Sequence, residues 1–248
     1  MDEQQVVVIK VGGNELDQPG FLPAVAETIA ALQEQQPCIL VHGGGQAINK
    51  LLDLLEIKPI FVDGQRVTDE STLEVAEMVL SGSVNKSLVM ALQSAGVEAL
   101  GVSGVDRHLL QVEPWSASLG YVGRIRSVRT ELLKQWVFEG VMPVISPIST
   151  GPQGRYNVNA DHAAGAIAGH LHAGRVVFIS NVPGVLVEGQ LIPQLTQQEA
   201  QDYSDQGIIS GGMIPKVSAA LEALALGAGE AVITNLAGLQ AGRGTRFQ

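Results

Sequence analysis

The amino-acid sequence predicts an α/β fold built on a mostly parallel central sheet. Three observations point there. Continuous runs of β-branched and aliphatic residues recur, as in Val6-Val7-Val8-Ile9, Ile39-Leu40-Val41 and Val176-Val177-Phe178-Ile179, which suits strands buried on both faces. Segments with helical spacing separate these runs, and the right-handed crossover rule then makes the strands parallel. The composition is rich in glycine (29 residues) and in apolar side chains (46%) but poor in aromatics (4%), which fits close packing of helices on a sheet.

Each element follows in order. The first strand, Val6–Ile9, ends at Lys10-Val11-Gly12-Gly13. Residues 21–35 carry apolar side chains at helical spacing (Phe21, Leu22, Val25, Ile29, Leu32), and Pro37 stops that helix. The strand Ile39–Val41 ends at His42-Gly43-Gly44-Gly45, and Ile48, Leu51, Leu52 and Leu55 mark the next helix. Residues 70–95 read as one or two helices, and residues 99–102 as a short strand. Residues 109–129 read as hairpin strands, 132–138 as a helix and 142–145 as another strand. The turn-rich stretch 149–155 places a lobe boundary near residue 150, dividing the chain into lobes 1–150 and 151–248. A helix near 160–172, the strand 176–179, a helix near 214–226 and the strand 231–233 complete the pattern.

A chain of 248 residues can bury a large core, in one domain or two tightly joined lobes. With 15 Lys+Arg against 25 Asp+Glu, its net charge of −10 argues against a duplex nucleic-acid partner. One cysteine, Cys38, can form neither an internal disulfide nor a cysteine-based zinc site; in its apolar run it reads as a small buried hydrophobe. The first residues, Met1-Asp2-Glu3-Gln4-Gln5, are acidic where a signal peptide is basic, and no run of about 20 apolar residues occurs. The expectation is a cytoplasmic protein with no membrane contact.

Three strands end in glycine-bearing turns: Lys10-Val11-Gly12-Gly13, His42-Gly43-Gly44-Gly45 and Asn181-Val182-Pro183-Gly184. Ligands of open α/β sheets sit beyond the carboxyl ends of the strands. Glycines let backbone amides approach an anion there, and helix N-termini add partial positive charge. Three such loops suggest a phosphate or carboxylate site, although neither a Walker A motif nor G-x-G-x-x-G is present. Lys10, directly after four β-branched residues, is costly to bury unless it is paired or faces the ligand crevice. Lys216 follows Gly211-Gly212-Met213-Ile214-Pro215, so it falls in the first turn of a helix, where a cation opposes the dipole but suits a phosphate. Asn157, Asn159 and Asp161 share one side of an extended segment; the same residues also make a good helix start. Asp161 can hold two lysines by charge-assisted hydrogen bonds. Arg66 lies in a loop, and its planar fork suits a carboxylate. The five histidines show no metal-ligand spacing, and Ser103 and Ser146 lack the context of a serine hydrolase.

Taken together, these segments resemble the amino acid kinase family over nearly the whole chain. The resemblance rests on Ile9–Gly13, Val41–Gly45, Gly64-Gln65-Arg66-Val67-Thr68, Val84-Asn85-Lys86, Tyr156–Asp161, Val182-Pro183-Gly184, Gly211–Lys216 and Gly242-Arg243-Gly244-Thr245. It implies a three-layer αβα sandwich of the carbamate kinase-like kind. The N-terminal lobe would bind the acyl amino acid and dimerise, and the C-terminal lobe would bind ATP. The implied activity is ATP-dependent phosphorylation of the γ-carboxylate of N-acetyl-L-glutamate, a step of arginine biosynthesis.

By the same resemblance, Lys10 and Lys216 stabilise the transferring phosphoryl group and Asp161 orients both. Gly44 and Gly45 line the reaction site, Arg66 grips the substrate α-carboxylate, and Asn157 and Asn159 belong to the substrate side. Gly12, Gly13, Asn181, Gly184 and Gly211 fall on the nucleotide side, with Mg²⁺ held mainly through the nucleotide phosphates and no metal ligand from the protein. Asn181 stands where the family pattern carries Asp, which bears on a charged contact near the nucleotide rather than on phosphoryl transfer. The chain begins almost at its first strand, without the extra N-terminal helix of arginine-inhibited hexamers, which suggests a homodimer without arginine feedback. A kinase acting on α-aminoadipate or glutamate displayed on an acidic carrier protein is the nearest rival, disfavoured by the net charge of −10. Aspartate kinase lacks support because no regulatory domain follows residue 248, and uridylate kinase because Arg66 and Asn157 suit an amino acid. A non-catalytic amino acid or ATP sensor is the alternative of another class.

Overall fold

A computed structural model describes residues 5–16, 18–62 and 65–248. One sheet of 11 strands runs through the described residues. Its path is Gln194–Leu195, Thr245–Phe247, Ala231–Thr234, Arg175–Ile179, Val7–Val11, Cys38–His42, Met142–Gly151, Leu110–Pro114 and Gly123–Val128. The strands Ala99–Gly104 and Gly154–Asn157 also pair with Met142–Gly151. The five strands from 231–234 to 142–151 pair in parallel, as the apolar runs predict. The predicted hairpin appears as 110–114 against 123–128, antiparallel, with a register shift at Gln111/Val112.

Side-chain alternation sorts the central strands between two helical layers. Val7, Ile9, Val11, Cys38, Leu40, Val177 and Ile179 pack toward the helices Phe21–Gln33 and Asn85–Ser94. Val6, Val8, Ile39, Val41, Val176 and Phe178 pack toward Ala160–Leu171 and Met213–Ala225. The result is the expected αβα sandwich. The second layer is tight because small residues let the two helices close on each other: a Cβ on Gly165 would lie 2.6 Å from the Ala219 carbonyl oxygen.

One expectation changes and another is resolved. The strand predicted at 142–145 continues to Gly151, because Pro147, Ser146 and Ser149 interrupt the apolar pattern without ending the pairing; the turn falls at residues 152–153. Residues 70–94 form one continuous helical stretch: Glu70–Glu77, a π-helical turn Met78–Val84, then Asn85–Ser94. By length and mean hydropathy this 25-residue stretch is long and apolar enough to cross a bilayer. Here it is a helix of the core, with Leu73, Val75, Leu80, Leu88 and Leu92 buried and the polar Asn85 buried among them.

Candidate active site

The alternation that builds the core also aims the first lysine. Lys10 follows Val8 on the face that packs against Ala160–Leu171, at the carboxyl end of its strand. Asp161 lies in the first turn of that helix, and the Asn159 side chain caps it by accepting from the amides of Asp161 and His162 at 2.8 and 3.4 Å. Lys10 Nζ and Asp161 Oδ1 are 2.8 Å apart, and both side chains are buried. Lys216 Nζ reaches Asp161 Oδ2 at 3.4 Å from the first turn of Met213–Ala225, and also donates to the Gly212 carbonyl at 3.3 Å. One carboxylate therefore fixes two ammonium groups from different elements. Burial pushes the Asp161 carboxyl up, but the charges of Lys10 and Lys216 outweigh it and hold it below the usual range. Lys216 is pulled below the usual lysine range by burial and by the Lys10 charge, against the opposing pull of Asp161 and Glu15.

Two glycine loops meet beside this triad. A Cβ on Gly13 would lie 2.6 Å from Gly44 Cα and Gly45 N, so only glycine allows the backbones to touch. The Gly43 amide donates to the Val11 carbonyl at 3.0 Å and ties the loops together. Below them, the π-helical turn presses Leu80 against Gly44, where a Cβ would come within 2.8 Å of Leu80 Cδ2. His42 anchors the same loop from inside the core. Asn85 Nδ2 donates to the Val144 carbonyl at 2.9 Å and approaches His42 Nε2 at 3.1 Å, so Nε2 is the acceptor. The ring proton then sits on Nδ1 and faces the Gly43 carbonyl at 3.3 Å.

A cavity of about 220 Å³ opens on the other side of Lys10. Gly13, Gly44, Gly45, Arg66, Asn157, Asn159 and Asp161 all line it, so seven of the sequence-derived candidates converge with Lys10. Arg66 lies on a short strand, Gln65–Arg66, paired with Phe61–Val62, rather than in a loop. Its Nη2 donates to Asn49 Oδ1 at 2.6 Å and to the Gly45 carbonyl at 3.3 Å, and its carbon sits 4.8 Å from the centre of the Phe61 ring. Nη1 is buried with no hydrogen-bond partner, and burial lowers the guanidinium pKa. Asn157 Nδ2 donates to Thr68 Oγ1 at 3.3 Å at the same wall.

A second cavity, about 460 Å³, shares Lys10 and Gly13 with the first and is also lined by Gly12, Asn181, Gly212 and Lys216. Lys10 thus stands at the junction of two chambers. Gly211 lies next door, in a side cavity with Trp115 and His162. Neither Gly211 nor Gly184 lines the two chambers, and Gly184, at φ +152°, packs against Thr245. Its glycine serves chain geometry. Several residues of the site were not legible in the sequence. Glu15, Asn49 and Phe61 carry no motif, and the His42–Asn85 pair is joined only by the fold.

Two chambers that meet at paired lysines, with amide-rich loops between them, suit transfer of an anionic group between two bound molecules. Such a sheet and site define a small-molecule phosphotransferase class. The chain belongs to the amino acid kinase family, whose sequence profile matches residues 5–235. Among its relatives, a Roseiflexus castenholzii protein named acetylglutamate kinase is 52% identical over 242 residues, covering 96% of this chain and 93% of that one. Relatives with the same name from Roseiflexus sp. and Chloroflexus aurantiacus are 51% and 46% identical. Among solved structures, smu.665 from Streptococcus mutans superposes with a TM-score of 0.87 at 28% identity, covering 99% of both chains. Carbamate kinase from Giardia lamblia bound to AMP-PNP superposes with a TM-score of 0.75 at 16% identity over 98% of both chains, which shows the shared fold.

Proposed function

We propose that this protein transfers the γ-phosphoryl group of ATP to the γ-carboxylate of N-acetyl-L-glutamate, giving an acyl phosphate and ADP in the arginine biosynthetic route. The observation that carries the reading is Arg66 in the wall of the polar chamber that Lys10 also lines, with its buried Nη1 left without a hydrogen-bond partner. A dicarboxylate fits that chamber end to end, with one carboxylate on Arg66 and the other beside Lys10. Relatives about half identical along nearly the whole chain bear the name of this activity, which supports the choice of acceptor.

The chemistry asks little covalent help from the protein. The acceptor carboxylate is already ionised near neutral pH, so no general base is needed. Its oxygen attacks the γ-phosphorus while the bond to the β,γ-bridging oxygen breaks, and ADP leaves with that electron pair. Lys10 neutralises charge where the two chambers meet, and Lys216 does so from the nucleotide side. Asp161 sets the spacing of both ammonium groups. The amides of Gly12 and Gly13 face the phosphates, and those of Gly44 and Gly45 face the phosphoryl group in transfer. The hard oxygen donors of Glu15, Ser180 and Asn181 suit a divalent cation in the nucleotide chamber. A bound Mg²⁺ supplies charge neutralisation on the phosphates.

The same reading gives residues 1–150 to the acyl amino acid and to dimerisation, and residues 151–248 to ATP. It puts the enzyme in the cytoplasm as a homodimer. The exposed apolar side chains Met78, Met90, Leu100 and Phe138 of the first part support the dimer. The test is Lys10→Ala assayed with N-acetyl-L-glutamate. Turnover falls by on the order of a hundredfold or more while nucleotide still binds. Unchanged phosphoryl transfer would reject the assignment.

A further inference from the structure

The nucleotide chamber is lined by one carboxylate, which no sequence motif assigns. Glu15 lies on the short helix Gly13–Leu16, is only 7% exposed, and lines the chamber opposite Asn181 and Lys216. Its carboxylate folds back over the first glycine loop, so that a Cβ on Gly12 would collide with Oε2. Asp161 takes both ammonium groups, at 2.8 and 3.4 Å. Among the described residues the Glu15 carboxylate has no hydrogen-bond or ion-pair partner.

Such a group is expensive twice over. A carboxylate only 7% exposed, with no hydrogen bond to hold it, gives up much of its hydration, and the charge of Lys216 in the same chamber offsets only part of that cost. It also faces the path of a triphosphate, where like charges repel. The formal charges of Lys10, Lys216, Asp161 and Glu15 sum to zero, which leaves the loop amides as the main attraction for a polyanion. A divalent cation between Glu15 and the phosphates removes both costs. Mg²⁺ typically takes one or two protein carboxylates, phosphate oxygens and several waters, which a single glutamate on a phosphate chamber can satisfy. No cluster of three His, Cys, Asp or Glu occurs among the described residues, so nucleotide phosphates and water are the natural source of the remaining ligands.

We propose that Glu15 is a direct protein ligand of the divalent cation that enters with the nucleotide. This rests on reading the chamber as the nucleotide-phosphate site. The test uses the full chain, Mn²⁺ as the probe ion and AMP-PNP as the nucleotide. Free Mn²⁺ is measured by electron paramagnetic resonance, and AMP-PNP binding in EDTA is measured separately. For Glu15→Gln, the enzyme–AMP-PNP complex should bind Mn²⁺ about tenfold or more weakly. Its metal-free AMP-PNP affinity should hold or rise, because a repelling charge is gone. Glu15→Asp keeps the charge one methylene shorter and should fall between. Equal Mn²⁺ affinity in wild type and Glu15→Gln, with nucleotide bound to both, overturns the proposal alone. Failure of wild type to bind AMP-PNP with or without Mn²⁺ overturns the nucleotide assignment and this proposal with it.

Discussion

Acidification should loosen this fold through a single histidine. His42 is fully buried, accepts from Asn85 and cannot take a proton without losing that acceptor. Burial pushes its pKa from 6.5 down to about 4, against a smaller opposing effect of the Gly43 carbonyl. In the unfolded chain the ring returns to its ordinary value. Between those two pH values the unfolded state binds more protons, so stability falls as pH falls. The contribution is complete above the unfolded pKa and is lost on the way down to the folded one. A gap of roughly two and a half units corresponds to about 3 kcal/mol, of which about 2 kcal/mol disappears between pH 7 and pH 5. Against a typical total of about 5–15 kcal/mol, that is a large share. The assay is urea unfolding of wild type and His42→Gln at pH 7, 6 and 5. Glutamine offers a carbonyl oxygen to Asn85 but does not titrate, and the carboxylates common to both proteins cancel in the comparison. The variant should be less stable at pH 7 yet lose about 2 kcal/mol less on going to pH 5. Parallel pH dependences would refute the reasoning.

Other outcomes follow from the same geometry. Arg66→Lys keeps the charge but loses the planar fork, so KM for N-acetyl-L-glutamate should rise about tenfold or more while kcat changes little; steady-state kinetics at fixed ATP checks this. Asp161→Ala leaves the buried Lys10 and the half-buried Lys216 without their shared counter-ion and should cost about 3 kcal/mol, read by denaturant unfolding at pH 7. Gly13→Ala drives a methyl group into the backbone of Gly44 and Gly45 and should abolish most turnover while far-UV circular dichroism remains near wild type. Normal activity there would mean the loops part easily.

Much of this architecture was legible because the strands are buried on both faces. Val6–Ile9 and Val176–Ile179 announce themselves as unbroken apolar runs, and Lys10 stands out because it ends one. Lys10, Asp161 and Lys216, all picked out by their motifs, lie together, and Arg66 and Asn157 line the same cavity as Lys10 and Asp161. Short or polar elements stayed hidden. The hairpin strands Phe61–Val62 and Gln65–Arg66 are two residues each, too short to show a period. The helix Gln197–Asp205 is largely polar, although its Thr196–Glu199 capping box is a local signal that marks its start. The π-helical turn at Met78–Val84 shares its apolar spacing with an ordinary helix, so only the coordinates separate them. Glu15 could not be read at all: its meaning comes from the chamber around it, not from its neighbours in sequence.

The central claim is the reaction and its acceptor. The most direct measurement is ATP turnover with Mg²⁺ in the presence of N-acetyl-L-glutamate, L-glutamate or L-aspartate, with hydroxylamine trapping any acyl phosphate. The account predicts hydroxamate and ADP in equal amounts with N-acetyl-L-glutamate, and little with the other two. No hydroxamate from N-acetyl-L-glutamate, with nucleotide bound to the folded protein, would contradict it.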